Sequence, residues 1–412
     1  MADRVDSIAS DMSRAPVTIL CLASYFKGHD FLRECHRLGA RVLLVTRESL
    51  RDLEWPRDCI DELLLMPDLT RRDHVLHAVS WLARTESIDR IVPLDEFDLE
   101  MASTLREHIR MPGMGESTVR FFRDKLAMRT QAEERGLVVP DFVSIFNYDR
   151  IRAFLDRVPP PWFLKPRHSA SAIGIRRIDR AEELWPLLDE LGDRQSFHLL
   201  ERYVPGDVFH VDAIAWDGKV VFAEAHGYFQ PPFDVYHGGG VFCTRTLDRG
   251  SEVSHTLLGL NERVVSALGM SRGALHTEFI RGRDDGRYYF LESAARVGGA
   301  NIVALVEAAT GLNLWREWAR VEVASAGGDE YAPPVGRTDH AGLLISLARQ
   351  EWPDLSAYSD PEITWRLAKR HHAGLVVASP SHARVEQLLA AYMPRFREDF
   401  FATLPAPAEA TE

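Results

Sequence analysis

The sequence predicts an α/β protein that opens with a parallel sheet and continues into mixed α+β subdomains. Two apolar runs of strand length, Val17–Ala23 and Arg41–Thr46, bracket a helix-like stretch from His29 to Leu38 that Gly39 stops. Strand, helix and strand in about thirty residues make a βαβ unit, and burial on both faces explains why neither run alternates. Beyond Pro112 the texture changes to short strands joined by Gly-, Pro- and Ser-rich turns. The length, 412 residues, allows two or three compact domains, and 46% hydrophobic with 27% charged residues is an ordinary globular composition.

The elements follow in order. A helix near 71–84 and a strand at Ile91–Leu94 complete an open parallel sheet, giving an N-terminal α/β domain over 1–115. The loop after the first strand, Ser24–His29, has a single glycine where a dinucleotide site requires three. Ligands of such sheets bind beyond the strands' carboxyl ends, so Asp95 and Glu96 either border a site or open the next helix as N-terminal carboxylates. A second segment, 116–200, begins with a helix from Ser117 to Arg135, closed by Gly136. The strand Trp162–Lys165, the small-residue loop Arg167–Gly174 and the extended Ile175–Ile178 then form a hairpin whose tip can wrap an anion with backbone N–H groups.

In the third segment, 201–325, Phe209–Ile214 alternates into the hairpin turn Asp217-Gly218 and the strand Val220–Phe222. Pro231 to Gly240 reads as a mobile loop. A helix near 251–268 precedes two strands, Ala274–Ile280 and Tyr288–Glu292, joined by the charged turn Arg281–Gly286. The last segment, 326–412, reads as a small C-terminal α/β appendage.

Charge and composition exclude several functions. With 49 basic and 61 acidic residues the net charge is −12, and no basic cluster offsets it, so nucleic acid is not an expected partner. Cys21, Cys35, Cys59 and Cys243 lack metal-site spacing and read as idle thiols in a reducing compartment. No run of about 18 apolar residues could span a membrane. The polar start has no signal-peptide core, and the expected setting is the cytoplasm.

Two carboxylates stand out. Counted outward from the Arg281–Gly286 turn, Glu278 and Glu292 lie roughly opposite one another on adjacent strands. Like charges so placed are unfavourable unless a cation lies between them, and magnesium takes one or two carboxylates while keeping positions for phosphate oxygens. Taken alone, two solvated strand carboxylates would read the same. Arg296, in the small-residue turn Ala294–Ala300, presents a fork suited to a carboxylate or phosphate. Lys165 ends a strand at the mouth of the anion-wrapping loop. Lys125 falls inside the first helix, where an exposed lysine is the plain alternative.

In order and spacing, Lys125 within Phe122–Met128, Lys165-Pro166 with its small-residue loop, Glu201–Gly206, Glu278 and Glu292-x-x-x-Arg296 resemble the ATP-grasp enzymes over residues 17–325. Within that superfamily, His276–Phe279 and Ala294–Gly299 look most like the L-amino acid ligases and related carboxylate–amine ligases. The resemblance implies an ATP-grasp fold with a lid subdomain. It also implies an amide or peptide bond made through an acyl-phosphate, with release of ADP and phosphate. Small-molecule carboxylate and amine substrates, no membrane partner and a homodimer go with it.

Residue by residue, it implies that Lys125 and Lys165 meet ATP phosphates and that Ser169, Ser171 and Gly174 form the lid loop. Glu201, Arg202, Tyr203 and Val204 would read adenine, and Asp207 would hold the ribose. Glu278 and Glu292 would bind one or two Mg2+ ions, for which Mn2+ can substitute. Arg296 would clamp the substrate, with Gly299, Ala300, His276 and His237 near it. Three departures from the family pattern stand in the chain: Ala294 replaces an asparagine metal ligand, the lid loop is rich in Ala and Ser rather than Gly, and Ala300 leaves room for a larger substrate group. A carboxylase working through carboxyphosphate and a catalytically silent ATP-binding scaffold are the alternatives.

Overall fold

Four parallel strands open the chain: β1 (Thr18–Ala23), β2 (Arg41–Arg47), β3 (Glu62–Met66) and β4 (Arg90–Pro93), in the order β3-β2-β1-β4. The computed structural model describes residues 16–169 and 173–402. β1 is buried throughout, as its unbroken apolar run requires, and helices Arg72–Leu82 and Leu99–His108 supply Val75, Val79, Ala102 and Leu105 to its core. β3 is an addition to the sequence reading: it is a five-residue, half-exposed edge strand whose apolar run, Leu63–Met66, is short and closed by Pro67. Asp95 caps the 3-10 turn Glu96–Asp98 by accepting from Phe97 N–H (2.9 Å), the helix-opening alternative of the two above.

The chain forms two compact units. The first runs to Glu116 and takes in Trp318–Tyr331; the second comprises Ser117–Glu317 and the chain from Ala332. Trp318 packs edge-on against Phe31 (5.5 Å), and Arg320 pairs with Glu34 (2.7 Å), which explains why this stretch belongs with the first unit.

The second unit holds two sheets. The smaller contains β5 (Phe142–Ser144), β6 (Trp162–Pro166), β7 (Arg176–Ile178) and β8 (His198–Arg202), ordered β5-β8-β6-β7. The larger contains β9 (Gly206–Trp216), β10 (Lys219–Tyr228), β11 (Phe242–Thr246), β12 (Gly273–Gly282), β13 (Tyr288–Ala294), β14 (His340–Leu347), β15 (Ile363–Arg366) and β16 (His372–Ser379). Their order is β13-β12-β9-β10-β11-β14-β16-β15. The β9–β10 connection is the expected two-residue turn, with Asp217 (φ 47°) and Gly218 (φ 74°) both left-handed as a twist-matched hairpin demands.

Three expectations change. The helix predicted from Ser117 to Arg135 is broken: Glu116–Val119 and a 3-10 turn Arg120–Phe122 precede a separate helix, Lys125–Glu134, which Asp124 caps. The stretch read as a mobile loop contains a helix, Pro232–Gly238, started by proline at its first turn. The C-terminal strands are not a separate appendage, because β14 pairs with β11 and continues the large sheet. Among the described residues no helix is long and apolar enough to cross a membrane.

Candidate active site

Asp124 accepts from the N–H groups of Leu126 (3.0 Å) and Ala127 (3.4 Å) and pairs with Arg167, while Lys125 N–H donates to Arg167 O (2.9 Å). The cap thus pins the helix start to the end of β6. Lys125 is the first residue of the helix rather than an exposed interior one, with its side chain only 14% exposed. Its Nζ donates to Ser169 O (2.7 Å) and lies 3.0 Å from Glu292 Oε2.

Four residues on, hence on the same helix face, Arg129 is fully buried, with Nε 2.6 Å from Glu201 Oε2 and Nη1 donating to Leu291 O. Glu201 Oε1 takes the ammonium of Lys165. Burial pushes the Glu201 pKa up, but Arg129 and Lys165 outweigh it and hold the carboxylate below its usual range. Burial, with Arg129 close by, lowers that of Lys165 against the opposing pull of Glu201. The Glu201 carboxylate is therefore bound by two cations, not presented to an adenine as expected. Arg129 went unnoticed in the sequence; its one signal is the four-residue spacing from Lys125.

Glu278 and Glu292 are cross-strand partners on β12 and β13. A bulge makes them so: Phe279 pairs with Phe290 and Glu278 with Glu292, so Leu291 is the extra residue. Tyr228 donates its OH to Glu278 Oε1 (2.9 Å), a contact the sequence offered no reason to expect. The Glu292 pKa is held well below the carboxylate range, with Lys125 foremost among the cations that overcome burial. Two carboxylates side by side, each with its charge stabilised from one flank, suit a hard cation such as Mg2+. Ala294 faces His276 across the strands and offers no ligand atom.

Lys125, Lys165, Glu278, Glu292 and Arg296 all line one cavity of about 400 Å³ in the second unit, which Ser169, Glu201–Val204, His276, Gly299 and Ala300 also border. Phe163 and Phe233, from β6 and the helix Pro232–Gly238, meet across it at 4.6 Å. Ala300 (φ 48°) and Asn301 (φ 59°) are left-handed, a conformation non-glycine residues adopt at a cost. They lead from the Arg296 turn into the helix Ile302–Thr310.

Other predicted residues fall elsewhere. Asp207 is exposed and does not border the cavity: strand alternation turns its neighbours Gly206 and Val208 inward and Asp207 to the opposite face. His237 is exposed, its Nδ1 3.0 Å from Phe233 O within its own helix, and does not line the cavity either. Gly174 sits outside the lining too, left-handed at φ 74° with Pro166 where a Cβ would go. Ser171 lies outside the described residues. His276 does border the cavity, but its ring is tied to Asp212 (2.9 Å) and lies 3.6 Å from Glu278. Burial opposes a proton there, yet Asp212 and Glu278 raise its pKa to about 10.

Two sheets enclosing a cavity, with lysines from the small sheet's side and paired glutamates from the large one, define the ATP-grasp fold, and the chain has that fold. No family model matches the sequence. It is 25% identical over 270 residues to an L-arginine-specific L-amino acid ligase of Bacillus subtilis, and the match covers 64% of this chain and 64% of that relative. A shorter match, 31% over 88 residues, or 21% of this chain and 28% of the relative, is to a D-alanine–D-alanine ligase of Saccharophagus degradans. Among solved structures, an L-amino acid ligase from Bacillus licheniformis superposes with TM-score 0.72 at 19% identity, covering 95% of this chain and all (100%) of that one. An N5-carboxyaminoimidazole ribonucleotide synthetase from Thermus thermophilus gives 0.70 at 18%, covering 94% and 99%.

Proposed function

We propose that the protein is an ATP-dependent carboxylate–amine ligase that joins amino-acid-like substrates through an acyl-phosphate. The observation that carries this reading is the cross-strand pairing of Glu278 with Glu292 on the cavity that also receives Lys125, Lys165 and Arg296. The similarity to amino-acid ligases supports the substrate class.

In this reading Lys125 and Lys165 neutralise the phosphates of ATP, and the Ser169 loop of the lid segment 116–200 closes over them. The main chain of Glu201–Val204 reads the base, while the Glu201 side chain acts through Lys165, whose ammonium it orients. Glu278 and Glu292 hold Mg2+, which when bound supplies positive charge to phosphate oxygens. Arg296 takes the substrate carboxylate and keeps its oxygen aimed at the phosphorus, where fixed positive charge stabilises phosphoryl transfer. Gly299, Ala300 and His276 bound the remaining space, and the enclosing helix Pro232–Gly238 excludes water from the acyl-phosphate. A homodimer in the cytoplasm completes the reading.

The test is phosphate release with ATP and Mg2+ across amino acids offered singly and in pairs, with mass spectrometry of the products. The expected result is phosphate together with a mass of two substrates less water, both lost in Glu292→Ala and Arg296→Ala. ATP binding without phosphate release from any pair would overturn the amino-acid reading.

A further inference from the structure

Beneath the cavity, on one face of three adjacent strands, lies a second constellation, of which the ligase reading uses only His276. β9 carries His210 and Asp212 two residues apart; His226 of β10 is the cross-strand partner of His210, and His276 of β12 that of Asp212. His210, Asp212 and His226 are fully buried and His276 is 9% exposed.

The nitrogens converge on one carboxylate. His210 Nδ1 lies 2.7 Å from Asp212 Oδ2, His276 Nδ1 2.9 Å from Oδ1, and His226 Nε2 3.7 Å from Oδ2. The outer nitrogens of two rings face oxygens: His210 Nε2 is 2.7 Å from Thr244 Oγ1, and His276 Nε2 is 3.6 Å from Glu278 Oε1. Thr244 Oγ1 also lies 3.3 Å from Gly227 O.

Neither ring nitrogen of His226 has a hydrogen-bond partner, although the side chain is completely buried. A buried polar atom left without a partner is unfavourable unless something binds it. The ligand atoms of His210, Asp212 and His276 all lie within 4.8 Å of one another, His226 Nε2 lies beside the same carboxylate, and the outer nitrogens of His210 and His276 face oxygens. A set rich in imidazole nitrogen suits a first-row transition metal rather than oxygen-seeking Mg2+. We propose that His210, Asp212, His226 and His276 form a buried site for a divalent transition-metal ion of the Zn2+ or Co2+ type, distinct from the Glu278–Glu292 pair. The proposal does not depend on the ligase reading.

The experiment uses the untagged full chain, washed with chelator and titrated with Co2+, followed by visible absorption and metal analysis. The expected result is about one equivalent of tightly held Co2+ with the strong bands of a four-coordinate nitrogen-rich site, displaced by Zn2+. Those bands should persist in Glu292→Gln and disappear in His226→Gln. Absence of such bands in the wild type would overturn the proposal whatever the variants do, and so would bands lost in Glu292→Gln but kept in His226→Gln. In the first case the cluster is a hydrogen-bonded network around Asp212; in the second the ion sits on the cavity carboxylates.

Discussion

Adding one methyl group at Gly298 tests how the cavity turn is supported. An alanine Cβ there would stand 2.8 Å from Asp212 Oδ1, 3.1 Å from His276 Nδ1 and 3.1 Å from Ile302 Cγ2. None of the three can easily withdraw: Asp212 is held by both His210 and His276, and Ile302 begins a buried helix. Gly298 is not left-handed, so the penalty is steric, and overpacking a rigid site of this kind costs about 1–3 kcal/mol. Gly299, the next residue, is the internal control, since a Cβ there meets nothing within 4 Å. Gly299→Ala should be neutral or stabilising by up to about 1 kcal/mol, through loss of unfolded-state freedom. Thermal and urea melts should therefore place Gly298→Ala below both the wild type and Gly299→Ala, melting about 2–4 °C lower than the wild type. A Gly298→Ala protein as stable as Gly299→Ala would refute the packing of Asp212 beneath the turn.

Other perturbations have equally definite outcomes. Arg129→Met removes one of the two cations on a buried carboxylate and should destabilise by about 3–5 kcal/mol, read by urea denaturation. The pKa of Glu201 is lowered in the fold, so its stabilisation is present above the ordinary value of 4.5 and is lost as pH falls through the lower folded value. Arg129→Met should therefore move the acid-unfolding midpoint to higher pH, and an unchanged midpoint in circular-dichroism titrations would contradict this. Tyr228→Phe deletes the hydroxyl donor to Glu278 and should weaken Mg2+-dependent nucleotide binding by calorimetry while costing about 0.5–1.5 kcal/mol in stability. Asp207→Asn, on the face away from the cavity, should leave nucleotide affinity unchanged within about twofold; a larger loss would restore it as a ribose ligand.

Legibility of the site in the sequence varied with the kind of signal. The N-terminal strands β1 and β2 were plain because burial on both faces leaves a long apolar run, whereas β3, on the sheet's edge, carries only the four-residue run Leu63–Met66, closed by Pro67. The pairing of Glu278 with Glu292 could be anticipated only roughly, since a strict count from the turn opposes Glu278 to Leu291 and the bulge makes up the difference. Asp207 was misjudged because a resemblance in position was followed where the two-residue strand period, Gly206 and Val208 against Asp207, gives the opposite face. Arg129, Tyr228 and Asp212 were illegible for a common reason. Each acts through a partner distant in sequence, and only the folded sheet brings them together.

The joining of β11 to β14 also bears on how the chain is made. Phe242–Arg245 pairs with Gly342–Ile345, so the eight-stranded sheet closes only after an intervening stretch that itself folds back with the first unit. On the ribosome, the strands that carry Asp212, Glu278 and Glu292 emerge while β11 is still an open edge. Such an edge presents unpaired backbone groups to any neighbouring chain. The last strands and the helix His382–Asp399 therefore act as the closing half of a non-local pairing that is slow by topology. A chain released before β14 has emerged would be expected to aggregate rather than to yield a smaller working enzyme.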